Sequence, residues 1–430
     1  MTTKTKREAT LLEALLPVVI TIGLLMYAVL PVFEVGQDVH IALILGALIA
    51  SIVAITRLGY TWKEVEDGII STISDTMQAI IILAIIGMII GTWILGGIVP
   101  TLIYYGLQIL SPGFFLIAAC LLCCIVSLAT GSSWTTAGTV GIALMGVAAG
   151  LGVNPGAAAG AIISGAYFGD KMSPLSDTTN LAPAMAGANL FDHVRHMVYT
   201  TGVSLAIALI GFGILGAGYA GKELDISAIN EILNLMKESF NINPLLLLVP
   251  IIVIVMVARK VPAIPGLFIG TLLGGVAAMI FQGASFAGVT DAMQYGVVSE
   301  TGNEMLDSLL TGGGYQSMMW TISLILAALT FGGVLEKTGM LETIGKVILK
   351  YAKSTGALVT ATIFTSIFTN VLAGDQYLAL VLPGKMYKDE YRKRGLAPRN
   401  LSRCLEDAGT LTSPLVPWNT CGAAMSTYLG

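Results

Sequence analysis

Tyr167-Phe168-Gly169-Asp170-Lys171-Met172-Ser173-Pro174-Leu175-Ser176-Asp177-Thr178-Thr179-Asn180 sits between apolar flanks, and its core recurs in the second half of the chain as Ser413-Pro414-Leu415. Gly131 recurs as Gly374, Gly97 as Gly339, and Met77 as Met319 in front of a long apolar run. Trp62-x-x-x-x-Asp67 answers Phe286-x-x-x-x-Asp291. A repeat of about 200 residues is no solenoid; in a membrane chain it reads as two fused transporter repeats.

Composition puts the chain in a bilayer. Hydrophobic residues make up 55% and charged residues 11%, against about a quarter charged in soluble domains. From Thr76 to Gly169 no residue is charged, several times the ~20 residues that one spanning helix needs. The expected fold is therefore all-α and polytopic. The basic start, Met1 to Ala9, runs into a full-length span without a small-residue cleavage site, which reads as an uncleaved, cytoplasmic N-terminus. Cys120, Cys123 and Cys124 have no His or acid beside them and read as packing residues, as do Cys404 and Cys421.

Apolar segments near 11–30, 40–57, 77–95, 113–130, 133–150, 154–190 (interrupted) and 196–219 form the first copy, a repeat over 10–219. Residues 220–242 read as an exposed connector, and 243–430 as the second copy. Lys4, Lys6, Arg7, Arg57 and Lys63 mark two cytoplasmic segments, whereas 31–40, 98–112 and 146–157 lack Lys and Arg. In the second copy the charges reverse. The stretch 283–317 has no Lys or Arg, while the counterparts of 98–112 and 146–157 gain Lys337, Lys346, Lys350 and Lys353, and Lys385 through Arg403. Opposite loop charge on aligned segments is what inverted-topology repeats require. Segments 113–130 and 133–150 begin and end on one side, so they form either two full spans or a re-entrant hairpin with its tip at Thr130-Gly131-Ser132-Ser133. The helix at 196–219 should have a partner near 436–459, beyond Gly430, so one terminal helix of the second copy is expected to be lacking.

Pro174 and Pro183 break any continuous helix through the polar stretch. Freed carbonyls and hydroxyls at membrane depth are tolerated only against protein or a water-filled cavity, and they supply hard oxygen ligands for Na+. Asp177 stands among Ser173, Ser176, Thr178, Thr179 and Asn180, and Asp170 is the first charge after the uncharged run. Buried acids are costly, so each marks a candidate site. The bland readings are an ion pair of Asp170 with Lys171 and a helix cap by Asp177. The second copy answers with Ser413, Asn419 and Thr420 around Pro414 and Pro417, and Asp375 is the only charge between Lys353 and Lys385. Ser132, Ser133 and Thr135 occupy the hairpin tip of the first copy. His193 and His196 read as an interfacial cluster or a pH sensor, and Trp62, Trp93 and Tyr104-Tyr105 as interfacial anchors.

Through Gly131-Ser132-Ser133-Trp134-Thr135-Thr136 and Gly169-Asp170-Lys171-Met172-Ser173-Pro174-Leu175-Ser176-Asp177-Thr178-Thr179-Asn180-Leu181-Ala182-Pro183, the chain resembles the NhaC family of Na+/H+ antiporters, over essentially its whole length. That family belongs to the ion transporter superfamily of inverted-repeat carriers and includes malate/lactate antiporters. The resemblance implies a bacterial inner-membrane location, Na+ and H+ as transported ions, and a site at the Asp170–Asn180 break.

The resulting expectation is a secondary antiporter, not an enzyme, with no organic cofactor and no nucleic-acid partner. Asp177, supported by Asp170, would alternate between protonated and Na+-bound states, with Ser173, Thr178, Thr179 and Asn180 completing the coordination. The rival is a Na+/H+-coupled carboxylate antiporter, in which Ser132-Ser133-Trp134 and Lys171 hold the organic anion. No Arg lies between Arg57 and Arg195, nor between Arg259 and Arg392, to clamp a dicarboxylate. His-Glu-x-x-His and Gly-x-Ser-x-Gly enzyme patterns are absent. The lipid bilayer and small ions are the expected partners, and an oligomer is compatible with this reading.

Overall fold

The computed structural model describes residues 6–29, 39–174, 176–219, 226–259, 261–303, 306–307 and 310–430. Lys4, Leu175, most of the 31–40 loop and the start of the connector lie outside the described residues. The described chain is helical. Among the described residues, seven helices are long and apolar enough to cross a membrane, or eight if the bent pair Asn230–Ser239 and Pro244–Met256 counts as one span. The protein is an all-α, multi-pass membrane protein.

In chain order the first half forms α1 (Leu11–Val29), α2 (Val39–Val53), α3 (Trp62–Leu95), α4 (Ile98–Ile109), α5 (Pro112–Thr130), α6 (Ser133–Thr136), α7 (Ile142–Gly150), α8 (Pro155–Met172), α9 (Asp177–Ala186) and α10 (Leu190–Ala217). The second half forms α11 (Ile226–Ser239), α12 (Leu248–Ala258), α13 (Ala263–Phe281), α14 (Phe286–Tyr295), α15 (Met319–Lys337), α16 (Met340–Tyr351), α17 (Thr355–Ala373), α18 (Leu378–Lys393), α19 (Pro398–Leu405) and α20 (Thr420–Leu429).

Caps explain where several helices depart from the apolar runs. Helix α3 begins at Trp62, not near 77, because Thr61 and Glu64 form a capping box: the Thr61 amide donates to Glu64 Oε2 at 3.0 Å, and the Glu64 amide to Thr61 Oγ1 at 3.4 Å. Hydropathy marks only the part in the membrane, whereas the backbone ladder continues through the charged turn. Helix α10 likewise begins at Leu190, with Asn189 Oδ1 accepting from the Phe191 amide at 2.9 Å. Trp93 is not an interfacial anchor; it is 1% exposed and donates through Nε1 to the Gly270 carbonyl at 3.1 Å. The connector is not wholly exposed either. Met236 of α11 is buried, and Lys237 lies over the Tyr104 ring.

Helix boundaries recur at a nearly constant offset. Gly97 and Gly339 both precede a helix in the left-handed conformation, at φ 75° and 69°. Ser111 and Ser354 stand at the N-cap positions of α5 and α17, which end on left-handed Gly131 and Gly374 at φ 70° and 63°. Such backbone favours glycine. Pro155 and Pro398 occupy the first turn of α8 and α19, and Asp177 and Thr420 begin α9 and α20. The serine, glycine, proline and helix-start pairs all share the offset that separates Gly131 from Gly374, and the Gly97–Gly339 pair falls short of it by a single position.

The chain divides into two compact units that interleave the copies: Met1–Ala79, Thr178–His196 and Trp320–Ala424 in one, and Ile80–Asp177, Met197–Met319 and Met425–Gly430 in the other. In the first unit an apolar core joins α1, α2 and α15–α17, built on residues such as Leu43, Phe331, Val334 and Met340. A second core there packs Ala182 and Ala186 of α9 on Leu358, Tyr387 and Leu401.

Candidate ion site

In the second unit α5 and α8 lie side by side and run in the same direction, since Cys120 faces Gly165, Cys124 faces Gly169, and Leu128 accepts from Ser173. Glycine makes the approach possible. A Cβ on Gly165 would stand 2.1 Å from the Cys120 carbonyl oxygen, and one on Gly169 would stand 2.5 Å from the Leu128 nitrogen. Parallel packing brings the C-terminal ends of both helices to one level, where the chain turns back at Gly131 into α6.

That geometry delivers Ser133 to Asp170. The Ser133 amide donates to Asp170 Oδ2 at 3.0 Å and its hydroxyl to the same oxygen at 2.6 Å, while Ser176 Oγ donates to Oδ1. Asp170 is 6% exposed and Lys171, beside it, 1%. The oxygen-rich stretch expected around Asp177 thus divides. Ser176 serves Asp170, Ser173 donates to the Leu128 carbonyl at 2.9 Å, and Asp177 is exposed at the start of α9. Asp177 nevertheless lies within electrostatic reach of Asp170. Thr178 and Thr179 are buried and Asn180 is exposed. At the tip, Ser132 Oγ accepts from the Thr135 amide at 3.1 Å, and the buried Thr135 hydroxyl has no hydrogen-bond partner among the described residues.

The first unit holds the second copy's counterpart. Asp375, 1% exposed, accepts from the Leu378 amide at 3.0 Å and from Thr76 Oγ1 of α3 at 3.3 Å. One helical turn earlier, Thr72 Oγ1 reaches Glu336 Oε2 of α15 at 3.3 Å. Around the break, Asn370 donates to the Gly409 carbonyl at 2.6 Å and to Thr412 Oγ1 at 2.9 Å, and Asn419 donates to Asn370 Oδ1 at 3.0 Å. Asn419 Oδ1 accepts from Thr420 Oγ1 at 3.3 Å, and Ser413 donates to Gln376 Oε1 at 3.0 Å.

These contacts place the copies in the same register that sets Gly131 against Gly374. Ser127 donates to the Ala166 carbonyl at 2.5 Å as Asn370 does to that of Gly409. Ser133–Asp170 becomes Gln376–Ser413. The two Ser-Pro-Leu motifs fall short of this register by three positions and are therefore not structural equivalents: Ser413 stands in the position of Asp170, not of Ser173. Where the first copy uses a carboxylate, the second uses a neutral amide and hydroxyl, and its acid has moved to the hairpin tip as Asp375.

The half-helices that follow the breaks add a matched pair of contacts, each inside one unit. A Cβ on Gly141 would lie 3.3 Å from Leu429 Cδ2 of α20, and one on Gly384 would lie 2.7 Å from Met185 Cβ of α9. Trp134 and Tyr428 meet edge to face at 6.5 Å. The histidines belong to the packing of the first unit, and His193 is buried. His193 Nδ1 lies 2.8 Å from Ser402 Oγ, and His196 Nε2 lies 3.1 Å from Asn400 Oδ1.

Thr72, Thr76, Glu336 and Asn370 escaped the sequence reading. Asn370 was legible as the lone amide within the apolar run of α17. The threonine pair, one helical turn apart, carries no signal until the fold sets α3 beside Asp375 and Glu336.

Paired helical hairpins, broken helices and buried carboxylates at the breaks define a multi-pass membrane carrier. The Na+/H+ antiporter family profile matches residues 165–430. The Na+/H+ antiporter NhaC of Alkalihalophilus pseudofirmus is 43% identical over 413 residues, covering 95% of this chain and 88% of that protein. The malate-2H+/Na+-lactate antiporter of Bacillus subtilis is 39% identical, covering 97% of this chain and 90% of that protein. The arginine/ornithine antiporter ArcD of Halobacterium salinarum is 36% identical, covering 97% and 86%. The chain belongs to the Na+/H+ antiporter family.

Proposed function

We propose that the protein exchanges cytoplasmic Na+ for external H+ across a bacterial inner membrane by alternating access, with Asp170 as the carboxylate for which the two ions compete. The observation that carries this reading is the buried Asp170 carboxylate held by the hydroxyls of Ser133 and Ser176. A buried carboxylate is costly unless neutralised. A proton and a Na+ each neutralise it, and one displaces the other, so exchange is obligatory. Hydroxyls suit both states: they donate to the bare carboxylate and rotate to offer lone pairs to a hard cation. Thr135 offers a further hydroxyl oxygen one turn into the same helical arm.

Asp177, exposed at the head of α9, collects the cation at the break, with Ser173, Thr178, Thr179 and Asn180 as the oxygens nearest it in the chain. Asp375 is the proton-carrying acid of the second copy, and Glu336 reaches it through Thr72 and Thr76. Ser413, Asn419 and Thr420 form a neutral lining that fixes the second break. Na+ and H+ are the cargo, and the mechanism calls on no organic cofactor.

We read the copies as inverted repeats over 10–219 and 243–430, joined by 220–242, with a cytoplasmic N-terminus. The reversed loop charges and the constant register of the helix boundaries support this. The α17–α18 pair is read as a re-entrant hairpin. Lys385 follows Asp375 by ten residues, ~15 Å of helix, which is half of a ~30 Å hydrocarbon core. The tip then lies near the midplane.

The Bacillus subtilis relative named for malate and lactate, with the buried Lys171, favours carboxylate exchange as the second reading. Na+-driven proton flux in proteoliposomes, with and without malate or lactate, decides between them. Flux that needs an added carboxylate establishes the second reading.

A further inference from the structure

An open groove of about 610 Å³ runs between α16 and α17, lined by Ile348, Tyr351, Ala352, Ala361, Phe364 and Phe368 among others. Its lining on α17 extends over the fifteen positions from Ala357 to Val371, ~21 Å of helix, more than the ~15 Å depth of one leaflet. Tyr351 and Phe364 are 75% and 62% exposed. At one end of the groove Lys350 and Lys353 flank Tyr351 and Ala352 in the chain, and Ser354 there is the N-cap of α17.

Lys346, one turn earlier, is paired with Glu8 and Glu342, and Arg394 with Glu390. Among the described residues neither Lys350 nor Lys353 makes an ion pair. Arg394 instead ties the mouth together, donating to the Ala352 and Ser354 carbonyls at 2.5 and 2.8 Å. An apolar channel with two exposed lysines beside its Tyr351–Ala352 end in the chain matches the chemistry of an anionic phospholipid: acyl chain along the groove, phosphate near the lysines. A basic mouth also excludes a neutral apolar partner as the best fit, since both charges would be buried unpaired.

We propose that this groove is a specific site for one anionic phospholipid. Native mass spectrometry of the protein purified with dioleoyl phosphatidylglycerol or dioleoyl phosphatidylcholine tests it. The expected result is one retained phosphatidylglycerol and no retained phosphatidylcholine, with retention at least several-fold lower in the Lys350→Gln/Lys353→Gln variant. Thr360→Trp, which narrows the exposed groove without touching either charge, should lose the same lipid. Both substitutions lie on exposed positions, and size-exclusion elution reports their folding. Equal retention of the two lipids, undiminished phosphatidylglycerol in both variants, or a second copy of the chain on this face in place of lipid overturns the proposal.

Discussion

Ser133 binds the Asp170 carboxylate twice, through its amide at 3.0 Å and its hydroxyl at 2.6 Å. The contact links the hairpin tip of the first copy to the last turn of the helix before its break, so a change of charge on Asp170 is felt by both. It exists because α5 and α8 run in parallel, and that packing exists because Gly165 and Gly169 lack side chains.

The first prediction concerns this bond. Ser133→Ala keeps the amide and removes the hydroxyl, a hydrogen bond to a charged group worth ~1.5–3 kcal/mol. The hydroxyl serves the bare carboxylate as a donor and the bound cation as a ligand, so its loss should lower Na+ affinity only by the difference between the two, a few-fold to about 10-fold, with the protein still folded. Asp170→Asn, which cannot trade a proton for Na+, should show no exchange. Na+ titration of both purified variants by isothermal calorimetry, beside a flux assay, checks this; unchanged affinity in Ser133→Ala removes the hydroxyl from the site.

The second concerns the acids on the first unit. Glu336→Gln leaves Asp375 and its Thr76 contact in place, so Na+ affinity should hold while the exchange rate falls and its pH profile shifts. Thr72→Val should act in the same direction and more weakly. Rates and pH profiles equal to wild type in both would reduce Glu336 to a structural residue.

Helix packing supplies the third. Gly165→Ala puts a Cβ 2.1 Å from the Cys120 carbonyl and 2.8 Å from Cys123 Cβ, an overpacking that costs ~1–3 kcal/mol. Gly160→Ala in the same helix meets nothing within 4 Å and should be neutral or stabilising by up to ~1 kcal/mol through helix propensity. Thermal midpoints from fluorescence-detected size exclusion should separate the two. Similar midpoints would mean that α5 and α8 do not approach so closely.

Topology gives the fourth. All five native cysteines are buried, and a cysteine-free background makes the test clean. Glu300→Cys should be labelled by an impermeant maleimide from outside, and Lys393→Cys only after permeabilisation. Labelling of both from one face contradicts inverted repeats.

Much of this was legible in the residues. Runs without charge gave the helices, Gly131 and Gly374 gave the hairpin turns, and Pro174 with its hydroxyl neighbours gave the break. The ranking of the acids was less legible. Composition around Asp177 is richer in oxygen than that around Asp170, whereas hydrogen bonding follows helix direction, and α8 turns Asp170 toward Ser133 while Asp177 opens α9 at an exposed position. Register misled for a related reason. Ser-Pro-Leu is conspicuous as a repeated string, whereas backbone packing repeats in the longer Gly131–Gly374 register, so the string match conceals that Ser413 answers Asp170. Trp93 likewise reads by residue type as an interfacial anchor, and a tertiary contact with Gly270 buries it.

The most direct test is proton flux in proteoliposomes holding purified protein, with an imposed Na+ gradient and no organic acid present. Wild-type protein should acidify or alkalinise the lumen according to the sign of that gradient, with malate and lactate changing the rate little, and Asp170→Asn should give the flux of empty vesicles. Flux at the wild-type rate in Asp170→Asn, or none from wild type until a carboxylate is added, would contradict Na+/H+ exchange at Asp170.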